Sequence, residues 1–195
     1  MLRVWWNEGF NLKQWINQLP KSPTPHHPIT CHQECRLRFD GGSLNNPGIA
    51  GSGWTIEIPA IEEDLREYAW GYSYIGSHNT NNEAEYVALI MGIKGVLHLG
   101  FKSVLIEGDS QLILHQFQSL WRSREKYSSH YKNLGMSMLR GLQEIKFNHI
   151  WRNFNQRADE LSKKAMYTKQ QDCSRNLIPC KTIALYNSNR IDTQQ

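Results

Sequence analysis

The order of residue periodicities in this chain predicts an α/β protein. The expected core is a mixed five-stranded sheet, three antiparallel strands then parallel ones, flanked by helices. Three observations carry that prediction. Three alternating or aromatic-rich segments follow one another with turn or loop signals between them. At Thr80 the period changes from that of a strand to that of a helix. Short apolar strands then alternate with helical segments, giving the order βββαβααβα. The handedness of parallel crossovers restricts where the later strands can lie.

The elements follow in turn. Arg36-Leu-Arg-Phe-Asp40 alternates as a half-buried strand does, and Asn45-Asn-Pro-Gly48 supplies a turn. Gly51-Ser-Gly-Trp-Thr-Ile-Glu-Ile58 and Glu67-Tyr-Ala-Trp-Gly-Tyr-Ser-Tyr-Ile75 are two further strands around an acidic loop, completing an antiparallel meander. Thr80-Asn-Asn-Glu83 fits a capping box, with Thr80 at the N-cap and Glu83 three residues on. After it Ala84, Val87, Ala88, Met91 and Gly95 share one helical stripe. Ser103-Val-Leu-Ile-Glu107 reads as a short central strand. Asp109 to Gln118 and Tyr127 to Leu142 read as helices, the second weakened by Gly135 and Gly141. Glu144-Ile-Lys-Phe-Asn-His-Ile-Trp151 alternates again, and Arg157 to Met166 closes with a helix.

Three zones result. Residues 1–34 form a polar N-terminal extension whose run Pro20-Lys-Ser-Pro-Thr-Pro-His-His-Pro28 reads as a linker, because clustered prolines suit neither helix nor central strand. Before it, Phe10 to Leu19 is a short amphipathic helix candidate. Residues 35–168 carry the dense secondary-structure signals. Residues 169–195 are a polar tail, apart from Thr182-Ile-Ala-Leu-Tyr186, which could add a strand.

Composition narrows the classes. Of 195 residues, 39% are hydrophobic, and seven Trp, eight Tyr and six Phe supply ample core material, so a largely disordered chain is excluded. No stretch approaches the ~18 uncharged apolar residues of a helical membrane span, so no membrane is expected as a partner. No secretory signal is apparent, and the expectation is an intracellular protein with free thiols. Cys31-His-Gln-Glu-Cys35, with His26, His27, Cys173 and Cys180, offers zinc-ligating residue types, but the spacings fit no standard knuckle. The net charge of +4 decides little; its distribution says more. Between Arg36 and Ser110 five basic residues face ten acidic ones, whereas Gln111 to Thr168 carries ten basic and four acidic. One half suits a cation site and the other an anionic polymer, against the plain alternative of solvated surface charge.

Four carboxylates sit at element ends, where a shared site can be built. Asp40 ends the first strand and precedes Gly41-Gly42, which permit close approach of a ligand to the backbone. Glu85 lies in the first turns of the first helix, Asp109 just past the fourth strand, and Asp159 near the start of the last helix. Each has a structural alternative: Asp40 opens a turn, Asp109 caps a helix, Asp159 favours a helix dipole. The capping box accounts for Glu83 and leaves Glu85 without a structural role.

The segments around these acids resemble a known family. Phe39-Asp-Gly-Gly-Ser-Leu-Asn-Asn-Pro-Gly48, followed by Ala50-Gly-Ser-Gly53, is similar to the opening strand and turn of type I ribonuclease H. Thr80-Asn-Asn-Glu-Ala-Glu-Tyr-Val-Ala-Leu89 resembles that family's glutamate helix, Ile106-Glu-Gly-Asp-Ser-Gln111 its second-aspartate segment, and Asn155-Gln-Arg-Ala-Asp-Glu-Leu161 its last. All four occur in the family's order, across roughly Arg36 to Met166. The Ala-Glu-Tyr and Trp-Arg-Asn-Phe-Asn forms look most like the reverse-transcriptase-like branch of plants and retroelements.

The resemblance implies a ribonuclease H-like fold and an endonuclease that hydrolyses the RNA strand of RNA–DNA hybrids. It implies two Mg²⁺ ions, with Mn²⁺ as an alternative, held by Asp40, Glu85, Asp109 and Asp159. Hard oxygen ligands suit Mg²⁺, and paired ions suit phosphodiester hydrolysis. It further implies substrate contacts at Gly41, Gly42, Asn46, Asn82, Gln111 and Arg152, where amides read the 2′-hydroxyl that distinguishes RNA from DNA. The plain readings of Asn46 as a turn residue and Asn82 as a helix-start residue stand beside these. Trp121-Arg-Ser-Arg-Glu-Lys-Tyr127, with Lys132, lies where family members carry a basic handle, or is an exposed connection. Arg152 occupies the arginine position of the plant-like branch. His149 has the family histidine's distance from Asp159 but falls in a strand, as a core or edge histidine would. A monomer is expected. Competing readings are a non-catalytic nucleic-acid-binding module, a retroelement-derived domain and a DNA nuclease of the same metal chemistry.

Overall fold

The computed structural model describes residues 34–59, 65–120, 126–174 and 177. The helix expected over residues 10–19, the proline-rich linker, the strand expected at 182–186 and residues 121–125 of the basic segment lie outside the described residues. So do His26, His27, Cys31 and Cys180.

The described elements are β1 (Glu34–Leu44), β2 (Gly48–Ile58), β3 (Arg66–Asn79), α1 (Asn81–His98), β4 (Ser103–Gly108), α2 (Gln111–Phe117), α3 (Lys126–Leu139), β5 (Glu144–His149), a 3₁₀ turn (Arg152–Phe154), α4 (Gln156–Thr168) and β6 (Gln171–Cys173). They form an α/β fold with one mixed sheet in the order β5-β4-β1-β2-β3-β6. β1, β2 and β3 pair antiparallel, and β4 lies parallel to both β1 and β5, as expected. The sheet has six strands rather than five. The extra one, β6, pairs antiparallel with β3 through Gly71–Cys173, Tyr72–Asp172 and Ser73–Gln171. Three residues are too few to show a period, so nothing local marked it.

Alternation along β1 sends Leu37 and Phe39 into the core while Arg36 and Arg38 stay half-buried. Those arginines pair with Glu57 on β2 and Glu107 on β4. α1 is buried nearly all round because the sheet lies on one side and α3 on another. It starts where the sequence says: the Thr80 hydroxyl accepts from the Glu83 N–H (3.2 Å), and the Glu83 carboxylate accepts from the Thr80 N–H (2.7 Å). Thr80→Ala is expected to lower stability by about 1 kcal/mol, read as a shift in a denaturant midpoint at unchanged slope.

α4 crosses β1, β2 and β3. Glycines set how closely it lies. A Cβ on Gly53 would stand 2.4 Å from the Ala158 carbonyl oxygen, and one on Gly51 would stand 2.5 Å from that of Ser162. Backbone therefore rests on backbone, which brings the start of α4 against β1. Both described cysteines, Cys35 and Cys173, are buried free thiols. Burial pushes the Cys35 thiol up to about 12, which suits packing and not chemistry.

Candidate active site

The site forms where β4 ends against β1. β1 does not end at Asp40, where its sequence pattern places the end, but runs on to Leu44 in its pairing with β2, while its pairing with β4 stops at Arg38 and Glu107. β1 and β4 run parallel with Leu37 opposite Ile106 and Arg38 opposite Glu107. Asp40 and Asp109 each follow two residues later, so they emerge side by side where open α/β sheets place ligands. Glu85 reaches the same point from the first turns of α1. One oxygen from each of Asp40, Glu85 and Asp109 lies within 4.8 Å of the others. Asp40 and Glu85 are buried and Asp109 is half-buried.

Asp159 is near but engaged elsewhere. Arg152 Nη2 donates to its Oδ1 (2.8 Å), and Lys163 Nζ, one helical turn on, donates to its Oδ2 (2.5 Å). The structure thus brings three of the four expected acids into one cluster. It sets the fourth beside them with both oxygens held by cations.

Electrostatics separate the acids in the same way. Burial pushes the Asp40 carboxyl up to about 6; the hydrogen bond from Ser162 opposes this, and the negative Asp109 and Asp159 add to it. Burial holds Glu85 well above the usual carboxylate range, helped by the charges of Asp40 and Asp109 and opposed by a hydrogen bond from the Gly41 N–H. Its Oε2 is buried and has no hydrogen-bond partner among the described residues. For Asp159, burial would raise the carboxyl, but hydrogen bonds from Lys163 and Arg152 outweigh it and hold it below the usual range.

Two positioning residues were not singled out from sequence. Asn155 is buried; its Nδ2 donates to the Phe39 carbonyl (2.8 Å) and to Asp109 Oδ1 (3.0 Å), tying β1 to the end of β4. The Ser162 hydroxyl donates to Asp40 Oδ2 and lies 2.9 Å from the Asp159 carbonyl oxygen. Asn155 stood inside the last motif, but an Asn before a helix reads locally as a cap. Its amide instead bridges two strands.

The expected contact residues divide. Asn82, Gln111 and Arg152 are exposed around the cluster. Asn46 is exposed, and its Oδ1 accepts from the Asn81 N–H (2.8 Å), tying the β1–β2 turn to the start of α1. Gly41 is buried, and a Cβ there would stand 2.2 Å from backbone of both Ala84 and Glu85. On Gly42 a Cβ would stand 2.9 Å from the Met166 methyl. Helices therefore fill both glycine positions. Asp109 does not cap α2; Ser110 holds that position without a side-chain bond. His149 ends the edge strand β5, with Nε2 3.3 Å from the Asp109 carbonyl oxygen.

An orphaned buried carboxylate oxygen beside two further acids fits a divalent cation. Three hard oxygen donors would lose their mutual repulsion to it, and Glu85 Oε2 would gain the partner it lacks.

Known proteins resemble this chain in sequence and in fold. The chain is 34% identical over 128 residues to ribonuclease HI of Halobacterium salinarum, a match covering 66% of this chain and 62% of that relative's length. The crystal structure of RNase H1 from Halobacterium salinarum NRC-1 superposes with a TM-score of 0.64 at 31% identity, covering 69% of this chain and 98% of that one. LC11-RNase H1, solved in complex with an RNA/DNA hybrid, superposes with a TM-score of 0.57 at 30% identity, covering 69% and 98%. The reverse transcriptase-like family model matches residues 38–165, which hold all four acids, the end of β4 and the Asn155 bridge. The chain belongs to the reverse transcriptase-like family and has the ribonuclease H fold.

Proposed function

We propose that this chain is an endonuclease that hydrolyses the RNA strand of RNA–DNA hybrids, with two Mg²⁺ ions held by Asp40, Glu85, Asp109 and Asp159 and Mn²⁺ as an alternative. The observation that carries this reading is the convergence of three acids from β1, α1 and the end of β4 within 4.8 Å, one with a buried unpaired oxygen. Relatives named ribonuclease H, one of them solved with a hybrid, support the substrate class.

The side chains divide the work. Bound Mg²⁺ supplies Lewis acidity toward a phosphodiester and lowers the pKa of water. Asp40 and Asp109 provide the central oxygens, fixed by Ser162 and Asn155 respectively. The Gly41 N–H donates to Glu85, whose Oε2 stays buried with no hydrogen-bond partner among the described residues. Arg152, 72% exposed in its side chain, is free to exchange the Asp159 carboxylate for a substrate phosphate. Such an exchange frees Asp159 Oδ1 for the cluster while Lys163 keeps Oδ2. Asn82 and Gln111, exposed at the starts of α1 and α2, present amides that can donate to and accept from a 2′-hydroxyl. Asn46 retains its amide N–H groups for the same task.

The test is a gel assay with labelled RNA–DNA hybrid, double-stranded RNA and double-stranded DNA, each with Mg²⁺ or with EDTA. The expected result is cleavage of the RNA strand of the hybrid alone, and only with the metal. Cleavage of double-stranded DNA would make the protein a DNA nuclease. Binding of hybrid without cleavage would make it a non-catalytic module.

A further inference from the structure

Backbone pairing between β1 and β4 stops at Arg38 opposite Glu107. Beyond that rung β1 continues against β2, with Asp40 opposite Gly53, and β4 against β5, with Gly108 opposite His149. Among the described residues no backbone pairing joins the two strands where Asp40 and Asp109 leave them. The spacing of these two acids therefore rests on side chains. One support is the Asn155 amide, which grips the Phe39 carbonyl and Asp109.

A second support lies one rung behind the acids. Glu107 is 4% exposed, and its carboxylate is held from both sides. Oε2 accepts from Arg38 Nε on β1 (3.1 Å), and Oε1 accepts from Asn148 Nδ2 on β5 (2.8 Å). Arg38 Nη1 reaches on to Glu57 Oε1 on β2 (3.4 Å), and Arg36 Nε stands 3.4 Å from the same Glu107 oxygen. The row Glu57, Arg38, Glu107, Asn148 thus crosses four adjacent strands, β2-β1-β4-β5. Alternation puts Arg38 and Asp40 on one face of β1, and Asp109 follows Glu107 by the same two residues. Apolar side chains of similar volume would hold strands together at least as well as a buried ion pair does. Hydrogen bonds add direction: they fix separation and register at the last rung before the acids.

We propose that Glu107, clamped by Arg38 and Asn148, is a positioning residue that sets the spacing of Asp40 and Asp109 and thereby the affinity of the cluster for a divalent cation. Both its oxygens are engaged, so it acts as a support and not as a ligand. The role rests on the metal-binding part of the nuclease reading. Charge and position predict different signs. Acting through charge alone, loss of Arg38 would tighten Mg²⁺ binding, loss of the Glu107 charge would weaken it, and loss of the neutral Asn148 would leave it unchanged. Positioning requires all three to weaken it.

The test is a calorimetric titration of the metal-free whole chain with Mg²⁺, well below its melting temperature, for the parent, Glu107→Gln, Arg38→Gln and Asn148→Ala. The expected result is a Kd for Mg²⁺ about tenfold higher in each variant. Asn148 is exposed on an edge strand, so its alanine variant should melt close to the parent and decides the matter even if Arg38→Gln fails to fold. Unchanged Mg²⁺ affinity in Asn148→Ala and Glu107→Gln, whatever their melting temperatures, would make the row purely structural and overturn the role. So would tighter binding by Arg38→Gln with unchanged binding by Asn148→Ala, the signature of charge alone. If the affinities fall as expected but the parent does not cut hybrid, the positioning role stands and the nuclease reading fails. If the parent cuts hybrid and the variants hold Mg²⁺ as it does, the positioning role alone fails. A parent that takes up no Mg²⁺ overturns both.

Discussion

Asp40→Asn is expected to abolish cleavage while making the metal-free protein more stable at neutral and alkaline pH. The loss of activity follows from removing a central oxygen of the cluster, worth several kcal/mol of transition-state stabilisation, or about a thousandfold or more in rate. The gain in stability follows from the raised Asp40 carboxyl. A carboxyl whose folded pKa is about 6 against an ordinary 3.8 binds its proton more tightly in the folded state. Stability therefore falls as pH rises from about 4 through about 6 and then stays low, by about 3 kcal/mol at most. Asparagine carries no charge at any of these pH values and can still accept from Ser162. In EDTA, thermal melts of parent and variant should converge near pH 4 and separate near pH 8, with the variant higher. Mg²⁺ should raise the parent's melting temperature and do much less for the variant. Cleavage by the purified variant, or a variant less stable than the parent at pH 8, would contradict the assignment.

Gly41→Ala is expected to cost both fold stability and activity, although alanine adds one methyl group. Its Cβ would stand 2.2 Å from the Ala84 carbonyl carbon and from the Glu85 nitrogen, and 2.6 Å from the Ala84 oxygen. These are backbone atoms, so no side-chain rotation relieves the overlap. Strand and helix must separate by about 1 Å, at a cost of about 3 kcal/mol. The strand carries Asp40 and the helix carries Glu85, so the separation opens the cluster itself. It also disturbs the Gly41 N–H bond to Glu85. A displacement of that size is expected to lower the rate about a hundredfold. Melting and hybrid cleavage should both fall; a variant with the parent's melting temperature would show that the glycine serves something other than this contact.

The fold was legible wherever a local pattern spanned a full period. The alternation of β1, the capping box before α1 and the short strand β4 all stand within a residue or a few of their expected places. β6 was not legible, since its pairing is decided by β3 across the sheet and not by its own three residues. The site was partly legible. Asp40, Glu85 and Asp109 stood out as acids at element ends that local structure did not fully explain. The engagement of Asp159 depended on Arg152, on the turn before α4, folding back over the first turn of that helix. Gly41 and Gly42 show another limit. A glycine reports that something approaches, but sequence does not say whether that is a ligand or, as here, a helix. Asn155 and Ser162 have residue types that serve as caps in most helices, and only three-dimensional proximity reveals them as supports for the acids.

The short pairing of β6 with β3 bears on how this protein should be handled in the laboratory. Cutting the gene after α4 would look safe from sequence, because every motif would be kept. The shortened product would present the main-chain groups of residues 71–73 as an open template for neighbouring molecules. It would also lose the Ser174 hydroxyl that the Trp70 N–H donates to. A clone meant for crystals or for assay at high concentration is better extended past residue 174, so that the sheet ends on its own last strand and not on a stranger's.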